Sequence, residues 1–330
     1  MKKATKRVVA GVGATAAAVA GAFAVVRSKV SKTLLSIAMD REEPEIMRKG
    51  KEKITGSPEL TEALRKADDA AKALESSGCV QVSIISHDGV RLVGHFHKCA
   101  TARRGVIAMH GWRSSWTKDF GAISQFLHSN DCSVLYGELR AQNDSEGEYM
   151  TFGLLERYDC LNWIDWVNDV IGETLPIYLA GVSMGETTVL MASGLDLPDN
   201  VGGIVADCGF TSPHAIWKHV VENNLQLQYS LHTSQVEKMV QKRIRMNPQE
   251  HSTVDALKKC CVPVLFIHGA EDSFVPVSMA YENYRACSAP RELLIVPGAE
   301  HGMSYIVEQR KYENTMRSFW KKYDGNNSFE

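Results

Sequence analysis

The chain has 330 residues, 44% of them hydrophobic and 23% charged, with a formal net charge of −2. That composition excludes a disordered chain and leaves enough apolar sequence for one large core. The near-zero charge excludes a global electrostatic draw toward nucleic acid or anionic ligands.

Lys2, Lys3, Lys6 and Arg7 open the chain as a basic cluster, an uncharged run extends from Val8 to Val26, and Arg27 and Lys29 close it. A run of about 19 residues approaches the length of a membrane-spanning helix. The preferred reading of residues 1–30 is a signal anchor that stays attached, with the rest of the chain outside the cell membrane. Ala22-Phe23-Ala24 also fits a signal-peptide cleavage site. A peripheral or soluble Ala-rich helix is the third reading, so a secreted or cytoplasmic protein remains open. Positive charge on both flanks specifies orientation weakly.

Residues 31–78 are polar and mostly helical in pattern. Ser57 precedes Pro58 as a helix cap, Leu60, Leu64, Ala67, Ala71 and Leu74 recur at helical spacing, and Gly78 ends the run. The segment reads as a stalk or as a helix packed on the main domain.

Residues 79–330 alternate strand-like and helix-like segments. Asp88-Gly89 joins two strand-like runs, Val80 to Ser86 and Leu92 to His97, as a hairpin. Further apolar runs cover Gly105 to Met109, Ser133 to Tyr136, Ile177 to Ala180, Gly203 to Ala206, Val262 to Ile267 and Leu293 to Val296. Helical patterns separate them at Ser115 to Ser129, Leu155 to Val170, Glu186 to Ser193, Val277 to Ala286 and Ile306 to Tyr323. This alternation implies an eight-stranded, mostly parallel sheet with helices on both faces, and ligand binding beyond the strands' carboxyl ends. Residues 211–257 interrupt it with two helix candidates and no strand, and read as a small helical cap over the site.

Gly181-Val182-Ser183-Met184-Gly185 follows one strand run and precedes a helix run. A serine on so sharp a turn is held out from the backbone, and glycines flank it where side chains would collide. Ser183 is the candidate nucleophile. It needs a base, and the base needs a carboxylate to fix its tautomer. His301, between Gly298 and Gly302 on the loop after the last strand run, is the candidate base. Asp272, after the Val264 to Ile267 run, is the candidate acid. Asp207 is the second choice, and Glu271 is expected to point elsewhere. Backbone N–H groups of Met184 and Trp112 are the candidate oxyanion donors. His110 reads as structural, and Trp217 in the cap as a substrate contact. Among the eight cysteines no C-x-x-C occurs, Cys260-Cys261 being the one adjacent pair, so no metal or cofactor is expected. Cys99, Cys132, Cys208 and Cys261 lie in or beside apolar runs, and most of the cysteines read as buried thiols.

His110-Gly111-Trp112, the serine pentapeptide, Gly269 to Pro276 and Gly298 to Gly302 together resemble the serine α/β-hydrolases. Within that superfamily residues 80 to 323 are similar to membrane-anchored bacterial hydrolases of the prolyl-oligopeptidase-like and cinnamoyl-esterase-like groups. Arg140 to Gly147 is similar to the family's R-x-H-G-x-S-x-G loop, but Gln142 stands for the usual His, Asn143 for Gly, and Glu138 for a common Asp. The resemblance implies an α/β-hydrolase fold and acyl transfer through an acyl-serine. A carboxylesterase acting on small to medium acyl esters is the favoured activity. A prolyl-oligopeptidase-like peptidase, a thioesterase or acyltransferase, and a non-catalytic tethered interaction module are the alternatives. A dehalogenase is disfavoured because that chemistry needs Asp at position 183.

Overall fold

The computed structural model describes residues 25–43 and 58–324. Eight strands form one sheet: β1 Val80–Ile85, β2 Arg91–His97, β3 Arg104–Met109, β4 Cys132–Gly137, β5 Ile177–Val182, β6 Val201–Asp207, β7 Val264–Gly269 and β8 Arg291–Val296. Their order is β1-β2-β4-β3-β5-β6-β7-β8. The opening hairpin and the β2–β4 pair are antiparallel, and every other pair is parallel.

The burial of the strands explains their composition. Every residue of β3, β4, β6 and β7 is buried, because helices cover both faces. Successive side chains feed opposite cores. Ile107 and Met109 join one cluster with Trp163 and Leu179, while Val106 and Ala108 join the other with Tyr178 and Phe319. The edge strand β1 alternates between exposed and half-buried positions instead.

Among the described residues, two helical segments precede the sheet. Residues 25–39 are helical and bury Leu35 and Met39 in the core. Arg113 donates from its guanidinium to the carbonyls of Ile37 and Asp40, at the end of this helix, where carbonyls lack intrahelical partners. Met150 N–H donates to Met39 O, and an Asp40–Arg243 ion pair of 2.7 Å adds a second tie. The helix Pro58–Glu75 lies against Trp116–Ser129, with Ala71 and Leu74 buried. The backbones approach so closely that a Cβ on Gly121 would sit 2.7 Å from Ala71 N. The expected cap residue of this helix, Ser57, lies outside the described residues, as does the uncharged N-terminal run except Val25 and Val26. Among the described residues no helix is long and apolar enough to cross a membrane.

After β6 the chain leaves the sheet. Ser212 caps Pro213–His219 by accepting from Ala215 N–H, and the helix continues into a wider turn at Val220–Asn224. Thr233–Ile244 follows, and Thr253–Leu257 adds a short helix that the sequence pattern did not suggest. The expected helix from Ile306 to Tyr323 is divided into Ser304–Val307 and Gln309–Tyr323. The break falls at Glu308, whose φ of −130° and ψ of 51° leave the helical region. Ser304, on the first part, donates to Asp207 beneath the sheet's end.

The turn from β5 into the helix Met184–Ala192 is the tightest point of the fold. Ser183 has φ 55° and ψ −115°. A Cβ on Gly181 would lie 2.3 Å from the Gly185 backbone, and one on Gly185 would lie 1.9 Å from Met109 O. The helix that follows is wholly buried, Glu186 included. Glu186 accepts a hydrogen bond from Gly209 N–H, and burial pushes its carboxyl up to about 8.

Gly185→Ala must displace a backbone carbonyl that no rotamer change relieves, so it lowers stability by at least about 3 kcal/mol, at the severe end of overpacking. Urea denaturation reads this directly, and an unchanged midpoint refutes it. Glu186 holds its proton in the folded state up to about pH 8, whereas the unfolded chain releases it near 4.5. Stability from this group is therefore complete at low pH and declines as pH rises through that window, by up to about 1.4 kcal/mol per pH unit. Thermal unfolding between pH 5 and 8 should show the wild type losing Tm more steeply than Glu186→Gln. Parallel curves reject the assignment.

Candidate active site

The carboxyl ends of β5, β7 and β8 deliver three side chains to one point. Ser183 follows β5, Asp272 lies on the loop after β7, and His301 lies on the loop after β8. His301 Nε2 is 3.0 Å from Ser183 Oγ, and its Nδ1 is 2.7 Å from Asp272 Oδ2.

Asp272 sets the tautomer. Its side chain is fully buried, and burial alone would raise its carboxyl. Hydrogen bonds from His268 and His301, the nearby His301 charge and the Val275 amide overcome this and hold it well below the usual carboxylate range. Phe274 and Val275 N–H groups donate to Oδ1 at 3.0 and 2.8 Å. An ionised carboxylate only accepts, so His301 Nδ1 is the donor in that pair. His301 Nε2 is then left with a lone pair facing the serine hydroxyl.

The second-choice acid sits elsewhere. Asp207 accepts from Ser304 and Tyr312, and burial pushes it up to about 6. Its carbonyl, not its carboxylate, meets the nucleophile, accepting from Ser183 N–H at 2.8 Å. Glu271 is exposed and, among the described residues, makes no hydrogen bond to His301. Cys208, Asp272 and His301 offer ligand atoms within 4.8 Å of one another. The donor chemistry suits a proton relay better than a metal, since burial drives the Cys208 thiol far above its ordinary range and keeps it protonated.

The loop after β3 runs beside the serine, where a Cβ on Gly111 would lie 3.2 Å from Ser183 Cβ. Gly111 N–H donates to Asp119 at 2.6 Å and Arg113 N–H to Gln142 Oε1 at 2.5 Å. Between them, Trp112 N–H has no hydrogen bond among the described residues. Met184 N–H opens a helix, where backbone donors lack intrahelical partners. Both expected oxyanion donors are thus adjacent to Ser183 and unspent. Gln142, the departure from the R-x-H-G pattern, holds this loop through its side chain. Asn143 takes the left-handed backbone that the usual glycine would take, with φ 49°. His110 is buried, with Nδ1 on Gly111 O at 2.8 Å and Nε2 accepting from Leu139 N–H at 3.2 Å, which occupies both nitrogens structurally.

Two openings meet at Ser183. One is an apolar cavity walled by Trp112, Phe152, Trp217 and residues of the 25–39 helix. The other is a cleft lined by Asp68, Arg113, Lys118, Asp119, His301 and Met303. Trp217, the expected cap contact, is in the first.

One close neighbour has no role in the sequence reading. His268 is buried, donates from Nε2 to Val275 O at 2.8 Å, and lies 3.3 Å from Asp272 Oδ2. Burial opposes its charge, but bonding to Asp272 and the nearby Glu186 carboxyl win, and its pKa is raised. Its position at the end of a buried strand, four residues before the acid, is the only signal the sequence offers.

The chain resembles several known proteins. It is 26% identical over 218 residues to the uncharacterised protein YqkD of Bacillus subtilis (strain 168), covering 65% of this chain and 70% of that one. The structure superposes on the Pyrococcus furiosus esterase Pf2001 with a TM-score of 0.62 and 23% identity, over 77% of this chain and 96% of that one. It also superposes on the Pyrococcus horikoshii acylaminoacyl peptidase with a TM-score of 0.57 and 16% identity, over 74% of this chain but 41% of the peptidase. These likenesses establish the α/β-hydrolase fold. The family model that describes the prolyl oligopeptidase family matches residues 150–327, more than half of the chain and the part that carries Ser183, Asp272 and His301. The chain is therefore a serine α/β-hydrolase and belongs to the prolyl oligopeptidase family.

Proposed function

We propose that the protein is a carboxylesterase. The observation that carries this reading is the Ser183–His301–Asp272 relay, with contacts of 3.0 and 2.7 Å. Ser183 Oγ attacks the ester carbonyl carbon while His301 Nε2 takes its proton. The tetrahedral oxyanion is held by the N–H groups of Trp112 and Met184. Collapse breaks the ester bond, and the leaving alcohol takes the proton from Nε2. Water then repeats the sequence on the acyl-serine and releases the acid. Asp272 stays ionised throughout and stabilises the imidazolium.

The esterase relative with the same fold supports an ester substrate. The family match and the acylaminoacyl peptidase relative support a second reading, cleavage of peptide amides. The complete relay weighs against a non-catalytic module.

Hydrolysis of p-nitrophenyl butyrate separates these readings. Ser183→Ala lowers kcat by about 10⁶-fold and Asp272→Asn by about 10⁴-fold, the scale of a broken triad. A fluorophosphonate probe labels the wild type and not Ser183→Ala. Equal turnover by wild type and Ser183→Ala removes the proposal. Faster cleavage of aminoacyl-proline anilides than of any ester replaces it with the peptidase reading.

Residues 1–30 tether this enzyme to a membrane. The basic cluster and the uncharged run after it support the tether. Carbonate extraction of cells expressing the whole chain should leave the protein in the pellet. Its recovery in the supernatant ends this part of the reading.

A further inference from the structure

The two openings at Ser183 differ in the one group that decides what enters each. His301 lines the mixed polar and apolar cleft and not the apolar cavity. The general acid must protonate the leaving oxygen, so the leaving group departs on the side where His301 stands. The acyl group is then left on the other side, in the apolar cavity.

That cavity offers an acyl chain no hydrogen bond beyond the reacting carbonyl. Ser183 is the nucleophile. The Trp112 indole N–H is already spent on Ala38 O at 2.8 Å. The Trp217 indole nitrogen and the Tyr229 hydroxyl have no hydrogen-bond partner among the described residues, but both lie beneath the wall's apolar surface, shielded from the cavity. A peptide seated here would leave its N–H and C=O groups unpaired, whereas a hydrocarbon chain loses nothing. Leu225, half-exposed, stands at the mouth.

One side of the cavity comes from outside the main hydrolase segment. Leu34, Ile37 and Ala38 line it from the 25–39 helix, together with Trp217 and Val221 of the cap. This wall is fixed at both ends. Ser31 Oγ is 2.8 Å from His232 Nδ1 on the cap, and Arg113 holds the carbonyls of Ile37 and Asp40.

We propose that this cavity binds aliphatic acyl chains longer than butyryl, and that Leu34 and Ile37 of the N-terminal helix set the accepted length. The inference rests on the ester-hydrolase reading and names the substrate class of that site. The alcohol portion leaves through the cleft, whose lining mixes Asp68, Lys118 and Asp119 with Leu64, Val182 and Ile306.

The full chain is assayed with p-nitrophenyl esters from acetate to dodecanoate, below their micellar concentrations. In the wild type kcat/KM rises with chain length, by about fourfold for each fully buried methylene, until the cavity is filled. Ile37→Trp narrows the cavity and lowers the decanoate-to-acetate ratio of kcat/KM by at least about tenfold. Leu34→Ala deepens it and moves the optimum to longer chains. Opposite shifts from two substitutions on one helix do not arise from misfolding. Decanoate binding to Ser183→Ala, read by quenching of the cavity tryptophans, is tighter than butyrate binding and is weakened by adding Ile37→Trp. A flat length profile, or one that neither substitution moves, overturns the inference while Ser183-dependent acetate hydrolysis leaves the esterase reading standing. If no ester is hydrolysed, decanoate binding decides: length-dependent, Ile37-sensitive binding upholds the pocket, and its absence overturns it.

Discussion

A carboxylate shut away from water must find all its hydrogen bonds within the protein, and Asp272 does so on every side. Two backbone amides meet one oxygen and two imidazoles face the other. This satisfaction keeps the group ionised despite burial. The charge then selects the His301 tautomer, and the tautomer presents a lone pair to Ser183. The amides that hold Asp272 belong to Phe274 and Val275, two and three residues farther along its own loop. The acid is therefore positioned in part by the turn that carries it.

Beneath the elbow the same physics gives neighbouring carboxyls different states. Glu186 receives a bond from Gly209 N–H, and desolvation dominates, lifting it to about 8. Asp207 has hydroxyl donors and settles near 6. Asp272, with two imidazoles and two amides, ends far below both. Glu186 is raised in part by the charges of Asp207 and Asp272, whereas burial is what raises Asp207. A buried cluster of three full negative charges would be very costly, and the gradient concentrates the charge on the one acid that orients a base. His268 takes part from the far side, with its pKa raised by Asp272 and Glu186.

The sheet and the serine turn were legible because local rules determine them. A glycine on each side of Ser183, apolar strands of four to seven residues, and a hairpin at Asp88-Gly89 all act over a few positions. Ser183, Asp272 and His301 were legible because each follows an apolar strand run at its carboxyl end. Other features depend on contacts between distant segments. Leu34, Ile37 and Ala38 have the spacing of any packed helix face, and nothing near them in sequence says that Trp217 lines the same cavity. His268 reads as the polar end of a buried strand. The break at Glu308 involves no proline or glycine, and what accompanies it is a contact between Ser304 and an acid 97 positions away. Gln142 looked like a loss from a family loop, yet its side-chain carbonyl supplies the acceptor that holds Arg113 N–H.

The helix at residues 25–39 binds the site into one unit. Its end accepts from the Trp112 indole through Ala38 O and from the Arg113 guanidinium through Ile37 O and Asp40 O, so it touches the loop that carries the Trp112 oxyanion donor. Its middle contacts the cap through Ser31 and His232. Met39 at its end and Arg41 just beyond it reach the Glu148 to Met150 segment by backbone hydrogen bonds. Three parts of the site that the chain builds from separate places, the oxyanion loop, the cap and the acyl wall, therefore share one rigid support. An oxyanion donor works only when it is held in place before charge develops. Chemistry and chain-length selection are then coupled mechanically: a change that shifts this helix moves the wall and the Trp112 amide together, whereas a change confined to the cap moves only one side of the cavity.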